Sequence, residues 1–492
     1  MYFKKIALLF ILSLIVILIG CGDNNQTNDD VSTSLTVETD VTETVETRFT
    51  PDIPDTDFEG EEFRVLGIDP ATYNMALDFD IEEETGDVLL DSIYRRNRMI
   101  EEKYNVKFAP SYLAEYSHTT TQIKNLVLAQ SDEYEMIMLI NRDAFSSALA
   151  GYLTPLKDIP HIDITQPWYH SGLNDQFAIK GKMFFAYTDE CLNMYSQTLA
   201  VLFNKKLIAD YDFESPYKYV NDGVWTMDKF HEMALSVIND LNGDGEFDEN
   251  DVHGVIGEGD MFYPSFWIGS NVRTVTINSD KVPEFTAPSD EKLLGILDKL
   301  YSWVITDGFY FDSFTEFGWV EPSRVKGSLH FSQDMSMFRV GVLASVLDLR
   351  NMDADFGILP LPKYDDAQKD YISRMIDGWI HVVPVTNTRL ELTGMMIEAL
   401  GAESKNEVIP TFFDIALKTK ISRDNESAEM LDIMFENLTV DLGDTVWQEA
   451  IRAIVTSHLN SKKDGFTSLF EKMVNPVEKL INNAITAVDS LE

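Results

Sequence analysis

The sequence predicts an α/β fold with two lobes. In residues 58–492, apolar runs of strand length alternate with amphipathic helical segments, for example at 62–68, 91–104 and 105–108. This alternation predicts mostly parallel sheets that are covered by helices on both faces. The chain is 45% hydrophobic, and residues 58–492 are long enough to bury two hydrophobic cores rather than one.

The N-terminal residues predict an export signal with a lipid attachment site. Lys4 and Lys5 precede an apolar run over residues 6–19, which is shorter than the roughly 20 residues that span a bilayer. The run ends in Leu-Ile-Gly-Cys at residues 18–21, which looks like a lipobox. We therefore expect residues 1–20 to be a lipoprotein signal peptide and Cys21 to carry the lipid. The alternative is a signal anchor with an incidental cysteine.

Residues 21–57 predict a disordered acidic tether. The segment consists mainly of Asn, Asp, Thr, Ser and Glu, and Arg48 is its only basic residue. It has almost no large apolar side chains, so it cannot bury enough surface to offset the entropy lost on ordering. We expect it to hold the folded body away from the lipid surface.

The charge of the chain excludes several kinds of partner. It has 82 acidic and 39 basic residues, for a formal net charge of −43. Nucleic-acid phosphates bind to clusters of lysine and arginine, so no nucleic-acid partner is expected. For the same reason, the body is not expected to lie on anionic lipid.

The two cysteines exclude an internal disulfide if Cys21 carries the lipid. The remaining cysteine, Cys191, then has no partner. We interpret Cys191 as a small buried apolar residue rather than a nucleophile.

Residues 240–251 match the pattern of a calcium-binding loop. Oxygen-bearing side chains occupy loop positions one, three, five, nine and twelve, and Gly245 occupies position six, where a sharp turn is needed. The pattern departs from the EF-hand at position twelve, where an aspartate replaces the usual glutamate, as in dockerin-like loops. The alternative is a solvated acidic turn without metal. The expected ligands of a structural calcium ion are Asp240, Asn242, Asp244, Glu246, Asp248 and Asp251.

No catalytic motif occurs in the sequence. His-Glu-x-x-His, Gly-x-Ser-x-Gly, the phosphate-binding Gly-x-x-x-x-Gly-Lys-Ser/Thr and Cys-x-x-Cys are all absent. With 82 acidic residues, a pair of glycosidase carboxylates cannot be assigned from the sequence. We therefore expect no catalytic residues and no enzyme activity.

Several polar and aromatic residues are candidates for binding a small solute. The apolar run at 134–140 precedes residues 141–143, which would lie at the carboxyl end of a strand, where α/β sheets bind ligands. Tryptophan faces stack on sugar rings while neighbouring carboxylates accept hydroxyl hydrogen bonds. For any single tryptophan, core packing is the alternative. Trp379 is favoured because Asp377-Gly378 before it indicates a turn at a strand entrance. The candidate ligand-binding residues are Arg142, Glu190, Trp267, Trp319, Asp377 and Trp379.

Five segments together resemble a known family. They are Phe-Asn-Lys-Lys at 203–206, Asp-Gly-Val-Trp-Thr at 222–226, and the segments 240–254, 355–363 and 416–424. In order and spacing they are similar to the extracellular solute-binding proteins of ABC importers. Within that group, the likeness is to the sugar-binding (family 1) type and its clostridial lipoproteins. It covers nearly everything from residue 58 to residue 492.

The resemblance implies a periplasmic-binding-protein-like (type II) fold with discontinuous lobes. The N-terminal lobe would comprise 58–190 and 331–356, and the C-terminal lobe 191–330 and 357–492. The chain would cross between lobes near 187–199, 331–340 and 356–362. The lobes would close over a solute in the cleft between them.

The resemblance also implies a function and partners. The protein would be a monomer on the extracellular face of a Gram-positive cell membrane, delivering a mono- or oligosaccharide to ABC permease subunits. Alternatives are a solute sensor or surface lipoprotein of the same fold, or an enzyme that degrades polysaccharide.

Overall fold

The computed structural model describes most of the chain after the predicted tether. The predicted signal peptide, Cys21 and Trp319 lie outside the described residues. Among the residues described, no helix is both long enough and apolar enough to cross a membrane. The described residues are 48–69, 79, 81–318, 321–349, 355–413 and 424–491.

The strands are β1 (Glu61–Ile68), β2 (Val106–Leu113), β3 (Met136–Ile140), β4 (Leu199–Asn204), β5 (His253–Gly257), β6 (Val275–Ile277), β7 (Pro283–Phe285), β8 (Tyr310–Asp312), β9 (Ser336–Val342), β10 (Phe356–Leu359), β11 (Ser373–Arg374), β12 (Trp379–Val382) and β13 (Leu438–Thr439).

The α-helices are α1 (Val88–Tyr104), α2 (Tyr116–Ala129), α3 (Asn141–Leu149), α4 (Ser171–Phe177), α5 (Asn193–Ser196), α6 (Lys205–Asp210), α7 (Pro216–Asn221), α8 (Met227–Ser236), α9 (Gly259–Gly269), α10 (Glu291–Val304), α11 (Ser313–Phe317), α12 (Glu321–Ser332), α13 (Leu390–Glu403), α14 (Ile409–Thr411), α15 (Asn425–Glu436), α16 (Arg452–Asn460) and α17 (Phe466–Asp489). A π-helix (Ser404–Val408) follows α13, and short 3₁₀ helices lie at Leu156–Asp158, Ala287–Ser289 and Leu343–Leu349.

Two main sheets organise the molecule, one in each lobe. The first has the strand order β12-β3-β1-β2, with β1 parallel to both of its neighbours and β12 antiparallel to β3. The second has the order β10-β4-β9-β5-β8, in which β9, β5 and β8 are parallel and β4 is antiparallel to β9. Helices pack on both sheets. The predicted α/β class is therefore confirmed.

The central strands form where the sequence is continuously apolar. Every residue of β3 is buried, as is every residue of β4, because helices cover both faces of these strands. The local sequence determines where helix α1 begins and ends. Asp87 caps its N-terminus by accepting hydrogen bonds from two backbone N–H groups, and Asn105 ends it in a left-handed conformation.

Two strands lie in the opposite lobe from the one expected. Residues 331–356 were expected in the first lobe, but β9 pairs with β4 and β5 in the second sheet. Conversely, β12 was expected in the second lobe but pairs with β3 in the first. The chain therefore returns to the first lobe between β11 and β12, at residues 375–378. It does not return near 331–340 or 356–362.

Residues 48–57 of the predicted tether contact the first lobe. Arg48 forms ion pairs with Glu403 and Glu407. The backbone of Phe49 exchanges two hydrogen bonds, each 2.8 Å long, with the side chain of Asn406. Ile53 packs against the core of the same lobe. Residues 48–57 therefore belong to the folded body, which was expected to begin at residue 58.

Candidate functional site

The candidate site lies at the carboxyl end of β3. Trp379, the first residue of β12, pairs with Ile140, the last residue of β3. Because the two strands are antiparallel, the residues that precede β12 lie beside those that follow β3. This register brings Arg142, Asp377 and Trp379 together, which are three of the six residues that the sequence indicated.

Arg142 and Asp377 form an ion pair at this edge of the sheet. Arg142 Nη1 donates a hydrogen bond of 2.5 Å to Asp377 Oδ2. Burial lowers the pKa of Arg142, but the charge and hydrogen bond of Asp377 outweigh it and raise the pKa above its ordinary value. Asp377 Oδ1 is buried and has no hydrogen-bond partner among the described residues. The pair therefore places a fixed cation beside a carboxylate whose side chain is 27% exposed.

The turn that carries Asp377 is held from two sides. Asn141 donates a side-chain hydrogen bond to Ile376 O, and the Asn193 side chain accepts one from Trp379 N. A Cβ at Gly378 would lie 2.4 Å from the Tyr187 hydroxyl, so only glycine fits there. Tyr187 and Asn193 belong to the first interlobe segment, and the turn belongs to the return segment. The site is thus built where two interlobe segments meet.

Two aromatic rings flank the ion pair. Tyr116, the first residue of α2, has its ring centroid 5.9 Å from that of Trp379, at an interplanar angle of 60°. The Arg142 guanidinium lies 5.7 Å from the Tyr116 ring centroid. Trp379 is only 8% exposed, whereas Tyr116 is half-buried. Tyr116 is therefore the more accessible of the two rings, at a position that no sequence pattern indicates.

A depression of about 560 Å³ opens beside this cluster, within the range typical of small-molecule sites. Thr120 Oγ1 donates a hydrogen bond of 2.8 Å to Asp143 Oδ2 inside it. Its other polar groups are hydroxyls, one amide, one ammonium and the Arg142 guanidinium. Such a lining suits a polar ligand better than an apolar one. The lining residues are Tyr116, Ser117, Thr120, Thr121, Lys124, Asn125, Arg142 and Asp143.

Solved structures of sugar-binding proteins share this architecture. A cyclo/maltodextrin-binding protein complexed with maltotetraose superposes with a TM-score of 0.54 at 11% identity, covering 88% of this chain and 97% of that one. An ABC substrate-binding protein from Listeria monocytogenes in complex with cycloalternan gives 0.54 at 13% identity, covering 87% and 99%. The maltose-binding periplasmic protein MalE from the same organism, in complex with maltose, gives 0.53 at 10%, covering 88% and 97%.

The chain has the fold of the ABC substrate-binding proteins. The predicted two-lobed, periplasmic-binding-protein-like architecture is therefore confirmed. No protein-family model matches the sequence, and a search of curated protein sequences finds no match.

Two of the residues that were predicted to bind the ligand lie away from the site. Trp267 is 1% exposed within α9 of the second lobe, where it packs in the core and offers no surface to a ligand. Glu190 is also buried, and its Oε2 lies 3.1 Å from His381 Nδ1. Burial raises the pKa of Glu190, but the charges of His381 and Arg96 outweigh this and lower it. Both assignments are corrected to structural roles.

Cys191 is buried beside Glu190 and forms no disulfide. Burial raises the pKa of its thiol to about 12, so the reactive thiolate is not formed at neutral pH. The interpretation of Cys191 as a buried structural residue is confirmed.

A buried ion network anchors the return segment in the second lobe. Arg374 Nε and Nη2 donate hydrogen bonds of 2.7 Å to the two carboxylate oxygens of Asp444. Arg374 also donates to the backbone oxygens of Asp260 and Met261 at the start of α9. Arg374 lies three residues before Asp377. The network therefore fixes one end of the segment whose other end forms the site.

In the loop at 240–251, backbone N–H groups donate hydrogen bonds to the loop's own carboxylates. Asp240 accepts hydrogen bonds from Gly243 N and Gly245 N, and Gly245 has a φ of 84° that disfavours other residues. Asp251 is fully buried, and its oxygens accept from Leu241 N at 2.9 Å and Asp248 N at 3.0 Å. The described part of the chain contains no group of three or more His, Cys, Asp or Glu side chains arranged for a metal. Calcium therefore stays a prediction.

Proposed function

We propose that the protein is an extracellular receptor, lipid-anchored through Cys21, that binds a saccharide and delivers it to an ABC importer by lobe closure. The observation that carries the proposal is the cluster of Arg142, Asp377, Tyr116 and Trp379 at the carboxyl end of β3. The fold supports it, because similar structures include complexes with maltotetraose, cycloalternan and maltose.

The chemistry of the cluster suits sugar hydroxyls. Arg142 supplies N–H donors, Asp377 supplies an acceptor, and the Tyr116 ring can stack on the C–H face of a pyranose. The Arg142–Asp377 pair is neutral as a unit, which favours an uncharged ligand. Binding is reversible and involves no covalent step.

The position of the cluster supports lobe closure. The site adjoins the interlobe segments 187–199 and 375–378, so a ligand held by the first lobe lies where the second lobe can reach it. A ligand that contacts both lobes stabilises the closed state by its additional contacts.

A thermal-shift screen of the mature chain tests the proposal. The compounds are monosaccharides, oligosaccharides, amino acids and short peptides, and we expect saccharides to raise the melting temperature. Binding of amino acids or peptides without any saccharide would contradict the proposal. Release of product from an oligosaccharide would instead show an enzyme.

The Tyr116→Ala variant is expected to weaken saccharide binding about tenfold, because it removes the exposed stacking face. Isothermal calorimetry measures this directly. The matched control is His118→Ala, an exposed residue on the same helix that does not line the depression. Trp379→Phe is the informative change at the second ring, because Trp379→Ala would also remove a buried core side chain. Unchanged binding in Tyr116→Ala would remove this ring from the site.

For the loop at 240–251, we propose a structural calcium ion. Adding calcium to chelator-treated protein is expected to raise the melting temperature by several degrees, because a ligand that binds only the folded state stabilises it. Magnesium at the same concentration is the control. The Asp240→Ala variant should lose the calcium response. If the wild-type chain shows no calcium-dependent shift, the loop is a metal-free turn.

A further inference from the structure

The depression beside the candidate site continues along one side of α2. The residues that line it there are Tyr116, Ser117, Thr120, Thr121, Lys124 and Asn125. Their spacing of three and four residues places them on one helix face. At a rise of 1.5 Å per residue, the span from Tyr116 to Asn125 is about 14 Å. A single sugar ring that contacts both Tyr116 and Arg142 leaves the far end of this face uncovered.

We propose that this face of α2 holds further units of an oligosaccharide whose first unit binds at Tyr116, Arg142 and Asp377. The inference rests on the proposed function and specifies its substrate class: an uncharged saccharide of at least two linked units. The units beyond the first lie over Thr121 and Asn125.

The polar groups along the face favour a sugar chain. Thr121 Oγ1 donates a hydrogen bond of 3.0 Å to Ser117 O, so its lone pairs can still accept from a sugar hydroxyl. Thr120 is fixed by Asp143. Ser117, Thr121 and Asn125 are exposed. The side chains supply both donors and acceptors, as a row of sugar hydroxyls requires.

Charge along the face argues against an acidic polymer. Lys124 is the one lining cation besides Arg142, and Arg142 is already paired with Asp377. The whole chain carries a formal net charge of −43, which repels anionic ligands at long range. The face also lacks the apolar pockets that peptide side chains would fill.

The depression is open rather than enclosed, so a chain can extend from the first unit into solvent. An enclosed pocket would limit the ligand to one or two rings. The open arrangement instead predicts that affinity rises with chain length until the face is covered and then becomes constant.

The test uses the mature chain and unbranched series of one to four units of malto-, cello-, xylo- and manno-oligosaccharides. A thermal-shift screen identifies the series that binds, and calorimetry then gives the affinity for each length. We expect at least a tenfold gain between one and three units. In the double variant Thr121→Ala/Asn125→Ala, the ratio of the three-unit to the one-unit affinity should fall about tenfold. His118→Ala should leave this ratio unchanged.

The outcomes separate the two proposals. If no saccharide binds, the proposed function is contradicted and this inference falls with it. If a series binds with the same affinity at every length, or if the double variant keeps the wild-type ratio, only the extended face is contradicted. Tighter binding of uronate-containing oligosaccharides than of neutral ones would overturn the assignment of an uncharged ligand.

Discussion

Replacing Arg374 with methionine is expected to lower the free energy of unfolding by about 3–5 kcal/mol, because it leaves a buried carboxylate without its main partner. Arg374 and Asp444 are both 0% exposed, and two hydrogen bonds of 2.7 Å join them. Methionine has no charge and replaces the aliphatic stem of arginine, so the change removes the ion pair and keeps the packing of the stem. Urea denaturation followed by circular dichroism measures the effect.

Two further variants make the Arg374 result specific. The double variant Arg374→Met/Asp444→Asn should be less destabilised than the sum of the single changes, because it no longer buries an unpaired charge. Lys218→Met removes an exposed ion pair with Asp222 and should change stability by less than about 1 kcal/mol. A loss below 1 kcal/mol in Arg374→Met would show that the network contributes little.

The contribution of Glu398 to stability is expected to fall as the pH rises from about 4.5 to 7. Its side chain is 1% exposed, and burial raises its pKa from 4.5 to about 7, against opposing hydrogen bonds from Tyr169 and Asp163 N. Between these pH values the folded state holds a proton that the unfolded state has released. Below pH 4.5 both states are protonated, and above pH 7 the folded state also carries the cost of a buried charge.

The size of the Glu398 effect follows from the pKa difference. At 1.36 kcal/mol for each pKa unit, it corresponds to about 3 kcal/mol between pH 4.5 and pH values above 7. Glu398→Gln keeps an oxygen that accepts from the Tyr169 hydroxyl but cannot ionise. It should therefore be more stable than the wild-type chain at pH 8 and similar to it at pH 5. The exposed Glu478→Gln is the control, and equal pH profiles for the wild type and Glu398→Gln would contradict the expectation.

The parts of the fold that depend on local pattern could be predicted. The apolar run at 134–140 gave β3, and the rule that ligands bind at the carboxyl ends of strands then selected Arg142. Asp377 and Trp379 were selected because they lie beside a turn at a strand entrance. In each case the position of the residue relative to one strand was enough to select it as a candidate. The order of the neighbouring strands was not needed.

Sheet membership could not be predicted in the same way. Every residue of β9 is buried, and a strand buried on both faces has no alternating pattern that would assign it to one lobe or the other. Only its pairing with β4 and β5 decides the lobe, and pairing is not encoded in the strand alone. The same reason explains the misplaced return segment.

The misassigned and missed site residues have separate physical causes. Trp267 lies in a helix that is apolar on nearly all sides, which is typical of a core helix rather than a cleft. Tyr116 was missed because it begins a helix after β2, and only the pairing of β2 and β3 with β1 brings that position near the end of β3. Arg374 and Asp444 are 70 residues apart, so no spacing rule connects them.

The docking of residues 48–50 on the first lobe has a mechanical consequence. Arg48 is held by ion pairs with Glu403 and Glu407, and Phe49 by hydrogen bonds with Asn406, all within the first lobe. For the proposed receptor, the first lobe is then the fixed arm and bears the load. These contacts do not involve the second lobe, so a turn of that lobe need not break any of them.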